Sequence, residues 1–129
     1  MSLDMDFPGL EKQMQEFGFP LEVATSRALE GHRANVQLFE HLASLIRAFN
    51  VTTITIAAAG KENQRDENPG FKIAVSPPAV SEGIISVGAL GQGSQGLVVA
   101  PLSNTGANVS VPGVGIVSAK TGGGLKNVE

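Results

Sequence analysis

The spacing of apolar residues changes at Asn50. Before it, the pattern is helical. Residues 8 to 17 suit a short helix, with Pro8 in the first turn and Gly18 as the stop. A second, longer helix is expected to follow Pro20 and run to about Phe49. Within it Val36, Phe39, Ala43 and Ile46 recur at spacings of three and four, and Leu38, Leu42, Leu45 and Phe49 form a neighbouring stripe. Two adjacent stripes make a wide apolar face, so this helix should pack deeply against something flat. Asn50 is expected to close it as a left-handed cap.

After Asn50 the residues become β-branched and apolar. Val51–Ala59 reads as a strand buried on both faces and ends at Gly60. Ile84–Leu90 reads as a second strand, with shorter β segments around 97–99, 108–111 and 115–119. A long helix among buried strands points to an α/β fold: a parallel sheet with packed helices, and short β segments at the C-terminal end. The strands at 52–59 and 84–89 should be parallel neighbours, with the helix of roughly 30–49 on one face.

Composition narrows the chemistry. At 129 residues the chain is long enough for one modest domain. It is 42% hydrophobic and only 16% charged, which argues against disorder. The net charge of −3, with no long basic stretch, gives no nucleic-acid footprint. No apolar run approaches a membrane span, and the acidic, polar start is unlike a signal peptide. The absence of Cys removes disulfides and thiol chemistry. From Gly83 to Val128 there is neither Asp nor Glu.

Several local patterns have plain explanations. Gly91-Gln-Gly-Ser-Gln-Gly96 fits a dinucleotide fingerprint, but no helix opens after it and no acid follows at the required distance. A hairpin tip is the better reading, and no cofactor is expected. His32 and His41 lie nine residues apart on one helix, about 180° round its axis from each other, so they cannot share a metal. Asp4, Asp6 and Glu11 are acidic residues at a helix start. No metal site is expected. Asn50-Val-Thr52 and Asn108-Val-Ser110 match the glycosylation pattern, which is frequent by chance.

One ordered set of motifs stands apart. Ile54-Thr-Ile-Ala-Ala-Ala-Gly60 is followed by Ser76-Pro-Pro-Ala79 and Ile84-Ile-Ser-Val-Gly-Ala89. Then come Leu102-Ser-Asn-Thr-Gly106 and Val111-Pro-Gly-Val-Gly-Ile-Val-Ser-Ala119. In order and spacing these resemble the Ala-Gly strand, Pro-Ala loop, Ile-Ser-Val-Gly-Ala strand, Phe-Ser-Asn-x-Gly turn and Pro-Gly-Val segment of subtilisin-like serine peptidases. Met1-Ser-Leu3 resembles the Met-Ser-Leu-Gly strand of their substrate cleft, and residues 6 to 35 resemble an insertion found in some bacterial members. The resemblance covers nearly the whole chain, which then reads as one partial peptidase domain, with 36–129 as its core.

The resemblance implies part of a three-layer fold and a parent enzyme that hydrolyses peptide bonds through a serine, a histidine and an aspartate. Many members of that family are exported. None of the three triad residues falls in this chain, so the chain alone should be inactive. The substrate would be a peptide or protein. Ser2, Leu3 and Asp4 would pair with an extended peptide, Asp4 standing where the family has Gly. Ala57, Ala58, Ala59 and Gly60 would line the specificity pocket. Small residues there also let a helix pack on the strand, and both readings can hold on different faces. Lys61 falls at the oxyanion-hole position, where the family has Asn. The alternative is a non-catalytic module of the same fold that binds peptide or a partner. Pro77-Pro78 resembles a loop where the family tends to place a cis proline. A chain cut from a larger sheet should also self-associate, through an unpaired edge or uncovered apolar surface.

Overall fold

A computed structural model describes residues 7–128. The expected Met1–Leu3 strand, with Ser2, Leu3, Asp4 and Asp6, lies outside the described residues. Two helices come first, α1 (Phe7–Glu16) and α2 (Leu21–Phe49). Gly18, at φ 90°, turns the chain between them, where a residue with a Cβ would be strained. Thr25 Oγ1 on α2 donates to Glu11 Oε1 on α1 at 3.0 Å and links the pair.

The end of α2 differs from expectation. Asn50 N–H bonds Ile46 O, but the residue is extended (φ −150°, ψ 97°) rather than left-handed. Its side chain supplies the turn instead: Oδ1 accepts from Thr52 N at 3.1 Å and Thr52 Oγ1 at 2.7 Å. This turn uses up the first residues of the expected strand, so β1 spans only Thr55–Ala58.

The remaining elements are a helical turn α3 (Pro77–Val80), then β2 (Ile84–Gly93), β3 (Gly96–Val99), β4 (Val109–Pro112), β5 (Ile116–Ala119) and β6 (Leu125–Val128). The Pro77-Pro78 expectation fails, because no peptide bond among the described residues is cis. The prolines instead open α3 after Ser76, where a missing N–H costs nothing and φ is already helical.

β1 and β2 are parallel neighbours, with Thr55 opposite Ile84 and Ala58 opposite Val87. β4 is also parallel to β2, with Val87 opposite Val109, whereas β3 is antiparallel to it, with Leu90 opposite Val99. The sheet is therefore mixed rather than purely parallel. Val87 has partners on both β1 and β4, and Leu90 has partners on both β3 and β4. A strand has one neighbour per edge, so β1 and β3 share one edge of β2 and β4 takes the other. The Gly91–Gly96 stretch is a hairpin, with Gly93 opposite Gly96. β5 and β6 form a separate antiparallel pair; β6 has only two apolar residues and went unforeseen.

Ala43, Ala57, Ala59, Val75, Ala79 and Ile84 form the core, with Phe39 packed against it. The stripe of Val36, Phe39, Ala43 and Ile46 thus faces inward, as α2 on one face of the sheet requires. The second stripe does not: Leu38, Leu42, Leu45 and Phe49 are exposed. Burial of β1 on both faces is also overturned. Ala57 and Ala59 face α2 and are buried, while Ile56 and Ala58 point the other way and are exposed. Helices cover only one face of the sheet among the described residues.

Candidate functional site

Helix packing explains Ala57 and Ala59. Both are 1% exposed, beside Ala43, where a larger side chain would push α2 off the strand. Ala58 alternates to the opposite face. Ala57 and Ala58, with Val87, Ala89 and Val111, line an open apolar depression there. The four small residues 57–60 are therefore divided between packing and an accessible surface.

Just beyond β1 the chain turns at Gly60 (φ 104°). Lys61 follows and is exposed. A clamp that sequence reasoning missed holds this corner. Asn104 N donates to Gly60 O at 3.0 Å, and Glu62 N donates to Asn104 Oδ1 at 3.0 Å. Asn104 Nδ2 also donates to Glu62 Oε2. Asn104 is 3% exposed, so these bonds are shielded from water.

The neighbouring residues extend the same network. Asn63, 3% exposed, donates through Nδ2 to Ser103 O at 2.6 Å and accepts from Ile73 N. Arg65 Nη2 reaches Ala100 O at 2.5 Å and Ser103 O at 3.0 Å. Ser103 Oγ accepts from Ala89 N at 2.9 Å, tying the turn to β2. Ser76 N donates to Ala59 O at 3.0 Å, so α3 begins at the carboxyl end of β1. The motifs around 60, 76, 88 and 104, far apart in sequence, meet at this corner. A further missed pairing lies along the sheet, where Asn108 Oδ1 accepts from Ser86 N at 2.9 Å and from Ser86 Oγ at 2.7 Å. That use of Asn108 accounts structurally for one of the two Asn-x-Ser/Thr matches.

His32 does not join this network: its ring meets Phe7 edge-on, with centroids 6.1 Å apart and planes at 88°. No group of three or more His, Asp or Glu suited to a metal ion occurs among the described residues. Nor, among those residues, is any helix long and apolar enough to cross a membrane.

No family model matches the chain, and no curated protein matches it. Among solved structures it is similar to the protease domain of PatA, determined as a serine-to-alanine mutant. The TM-score is 0.50 and the sequence identity 28%, over 70% of this chain and 30% of that one. The chain shares a protease-like fold. It spans about 30% of the length of the protease-domain chain it matches. Its α/β architecture, with helices and a mixed sheet, agrees with that likeness.

Proposed function

We propose that this chain is the central part of a subtilisin-like serine endopeptidase, residues 6–35 being an insertion. It would contribute one side of the substrate cleft and the oxyanion corner. The observation that carries this is the likeness to a protease domain at 28% identity, joined to five family motifs in family order. The open face at Ile56 and Ala58 and the ordered corner at Gly60–Glu62 support a role in holding a peptide. Ser2, Leu3 and Asp4 would pair with its backbone. Sequencing the coding DNA on both sides tests the reading. Asp and His motifs upstream and a Gly-Thr-Ser motif downstream are expected, and their absence on both sides overturns it.

The chain alone should not hydrolyse peptides, because it carries no activated nucleophile. The check is a fluorogenic peptide assay across a range of chain concentrations. Turnover that scales with the chain and is blocked by a serine-directed inhibitor would contradict the expectation.

Lys61 favours a second reading, a non-catalytic peptide-binding module. A lysine brings a hydrated point charge on a flexible stem to a place where the family uses a neutral, preorganised amide. In an active parent enzyme, Lys61→Asn is expected to raise kcat on the order of 10²-fold, the scale of one oxyanion donor in this family. Equal kcat in two equally stable forms would remove Lys61 from the oxyanion site. A parent with an intact triad that binds peptide and never cleaves it would favour the module.

We also propose that the isolated chain self-associates. Ile56, Ile85, Val109 and Val111 are 39–49% exposed on the sheet face that no described helix covers. Sheets with parallel strands normally carry cover on both faces, and bare apolar patches recruit partners. Light scattering should show mass rising with concentration; a monomer throughout would show that the face is tolerated.

A further inference from the structure

Two stretches carry the Asn-x-Ser/Thr pattern of an N-glycosylation acceptor, Asn50-Val-Thr52 and Asn108-Val-Ser110. The pattern alone does not separate them. Exposure does not either, because both asparagines are exposed. Their hydrogen bonds do. The pattern pairs an amide with a hydroxyl two residues on, so an acceptor must offer the two groups together.

Asn50 meets this requirement. Its Oδ1 accepts from Thr52 Oγ1 at 2.7 Å and from Thr52 N at 3.1 Å. The Thr52 N–H can only donate, so the amide oxygen faces it and Nδ2 takes no part in the turn. Asn50 N donates to Ile46 O at 2.8 Å, and Thr53 N donates to Asn50 O at 3.2 Å. Among the described residues, the hydrogen bonds of 50–52 thus stay within the segment 46–53, between α2 and β1. Val51, at the centre of the pattern, is 89% exposed. Asn108 is held differently. Its Oδ1 accepts from Ser86 N at 2.9 Å and Ser86 Oγ at 2.7 Å, and its own N–H donates to Ser86 Oγ at 2.8 Å. Ser110 is fixed in β4 opposite Gly88. The hydroxyl that meets the Asn108 amide therefore belongs to Ser86, and presenting 108–110 means pulling β4 from β2.

We propose that Asn50 is an acceptor for an N-linked oligosaccharide and that Asn108, in the folded chain, is not. The donor is an oligosaccharide carried on a lipid diphosphate. Nδ2 forms a bond to the anomeric carbon of the sugar. The bond from that carbon to the diphosphate oxygen breaks, and the lipid diphosphate leaves with the electron pair. Nδ2 gives up one proton to a base of the transferring enzyme. As that proton departs, negative charge spreads to Oδ1, where the two Thr52 donors already stand. The glycan adds hydrated bulk beside the exposed Phe49 and Val51. Asn50 precedes β1 and Gly60 follows it, so the glycan is attached at the end of the strand away from the Gly60 corner. The assignment is independent of the peptidase reading.

The test incubates the folded full chain with a purified oligosaccharide-transferring enzyme and its lipid-diphosphate donor, beside a standard acceptor peptide. Intact mass should rise by one oligosaccharide, and peptide mapping should place it on Asn50. Transfer to Asn50 should outrun transfer to Asn108 on the order of 10²-fold, the worth of the three hydrogen bonds between Asn108 and Ser86. Free peptides covering 46–54 and 104–112, which lack the sheet, should accept at similar rates. Thr52→Val keeps the side-chain shape without the hydroxyl and should slow transfer by about tenfold or more, the worth of one good hydrogen bond. Thr52→Ser should retain it, with circular dichroism confirming that both variants fold. Asn50→Gln should abolish modification of the folded chain. Three outcomes overturn the proposal: no transfer to Asn50 while the standard peptide is glycosylated, comparable transfer to Asn108 in the folded chain, or a preference in the free peptides as large as in the fold. Any of them leaves the peptidase reading standing, and failure to find triad motifs beside the coding region leaves the Asn50 result standing.

Discussion

Asn63→Leu is expected to lower the unfolding free energy by about 2–3 kcal/mol. Asn63 is 3% exposed and joins two loops, donating to Ser103 O and accepting from Ile73 N. Leucine has similar bulk but offers neither group. Ser103 O would keep its bond from Arg65 Nη2, while the Ile73 N–H would lose the Asn63 acceptor. Most of the cost therefore comes from one stranded donor. Asn68→Leu is the control. Asn68 Oδ1 accepts from Gly70 N in an exposed loop, where water replaces the lost bond, and the loss should stay under about 1 kcal/mol. Urea unfolding of both variants measures the difference; similar midpoints would mean that the Asn63 bonds contribute little.

Gly60→Ala is expected to cost about 3 kcal/mol or more, from two sources. A φ of 104° is unfavourable for any residue with a Cβ, by about 1–2 kcal/mol. The added methyl would also overlap the Asn104 amide and lie 2.6 Å from Glu62 Oε2, forcing the clamp apart. Gly18→Ala separates the two. Gly18 also has positive φ, at 90°, but a methyl there meets nothing within 4 Å. It should cost only the backbone part. Thermal or urea unfolding that ranks the two variants equally would show that the clamp yields easily.

How much of this was legible in the sequence depended on range. The helices were legible because Pro20, Gly18 and the stripe through Phe39 and Ala43 act locally. The parallel pairing of β1 and β2 followed from the same pattern together with the family likeness. What failed was information carried by partners. The stripe of Leu38, Leu42, Leu45 and Phe49 is as apolar as its neighbour, and only the fold reveals that the described chain leaves it uncovered. Asn50 had the right residue type for a left-handed cap, but its side chain bonded forward to Thr52 instead. Ala57 and Ala59 were legible as small and close-packed. The grip of Asn104 on Gly60 and Glu62 was not, since the residues are more than forty positions apart and no spacing rule connects them. The Ser103-Asn104 pair was visible as a motif but not as the fastening of the corner it proved to be.

β2 offers both edges to partners, β1 and β3 in succession along one and β4 along the other. It cannot leave the sheet by peeling from a free side. Loosening it means breaking ladders on both edges at once, so those three strands and β2 should open as a single cooperative unit. The β5–β6 hairpin pairs only with itself among the described strands. Its fluctuations are therefore decoupled from that unit, and local fraying at the C-terminal end need not reach the Gly60 corner.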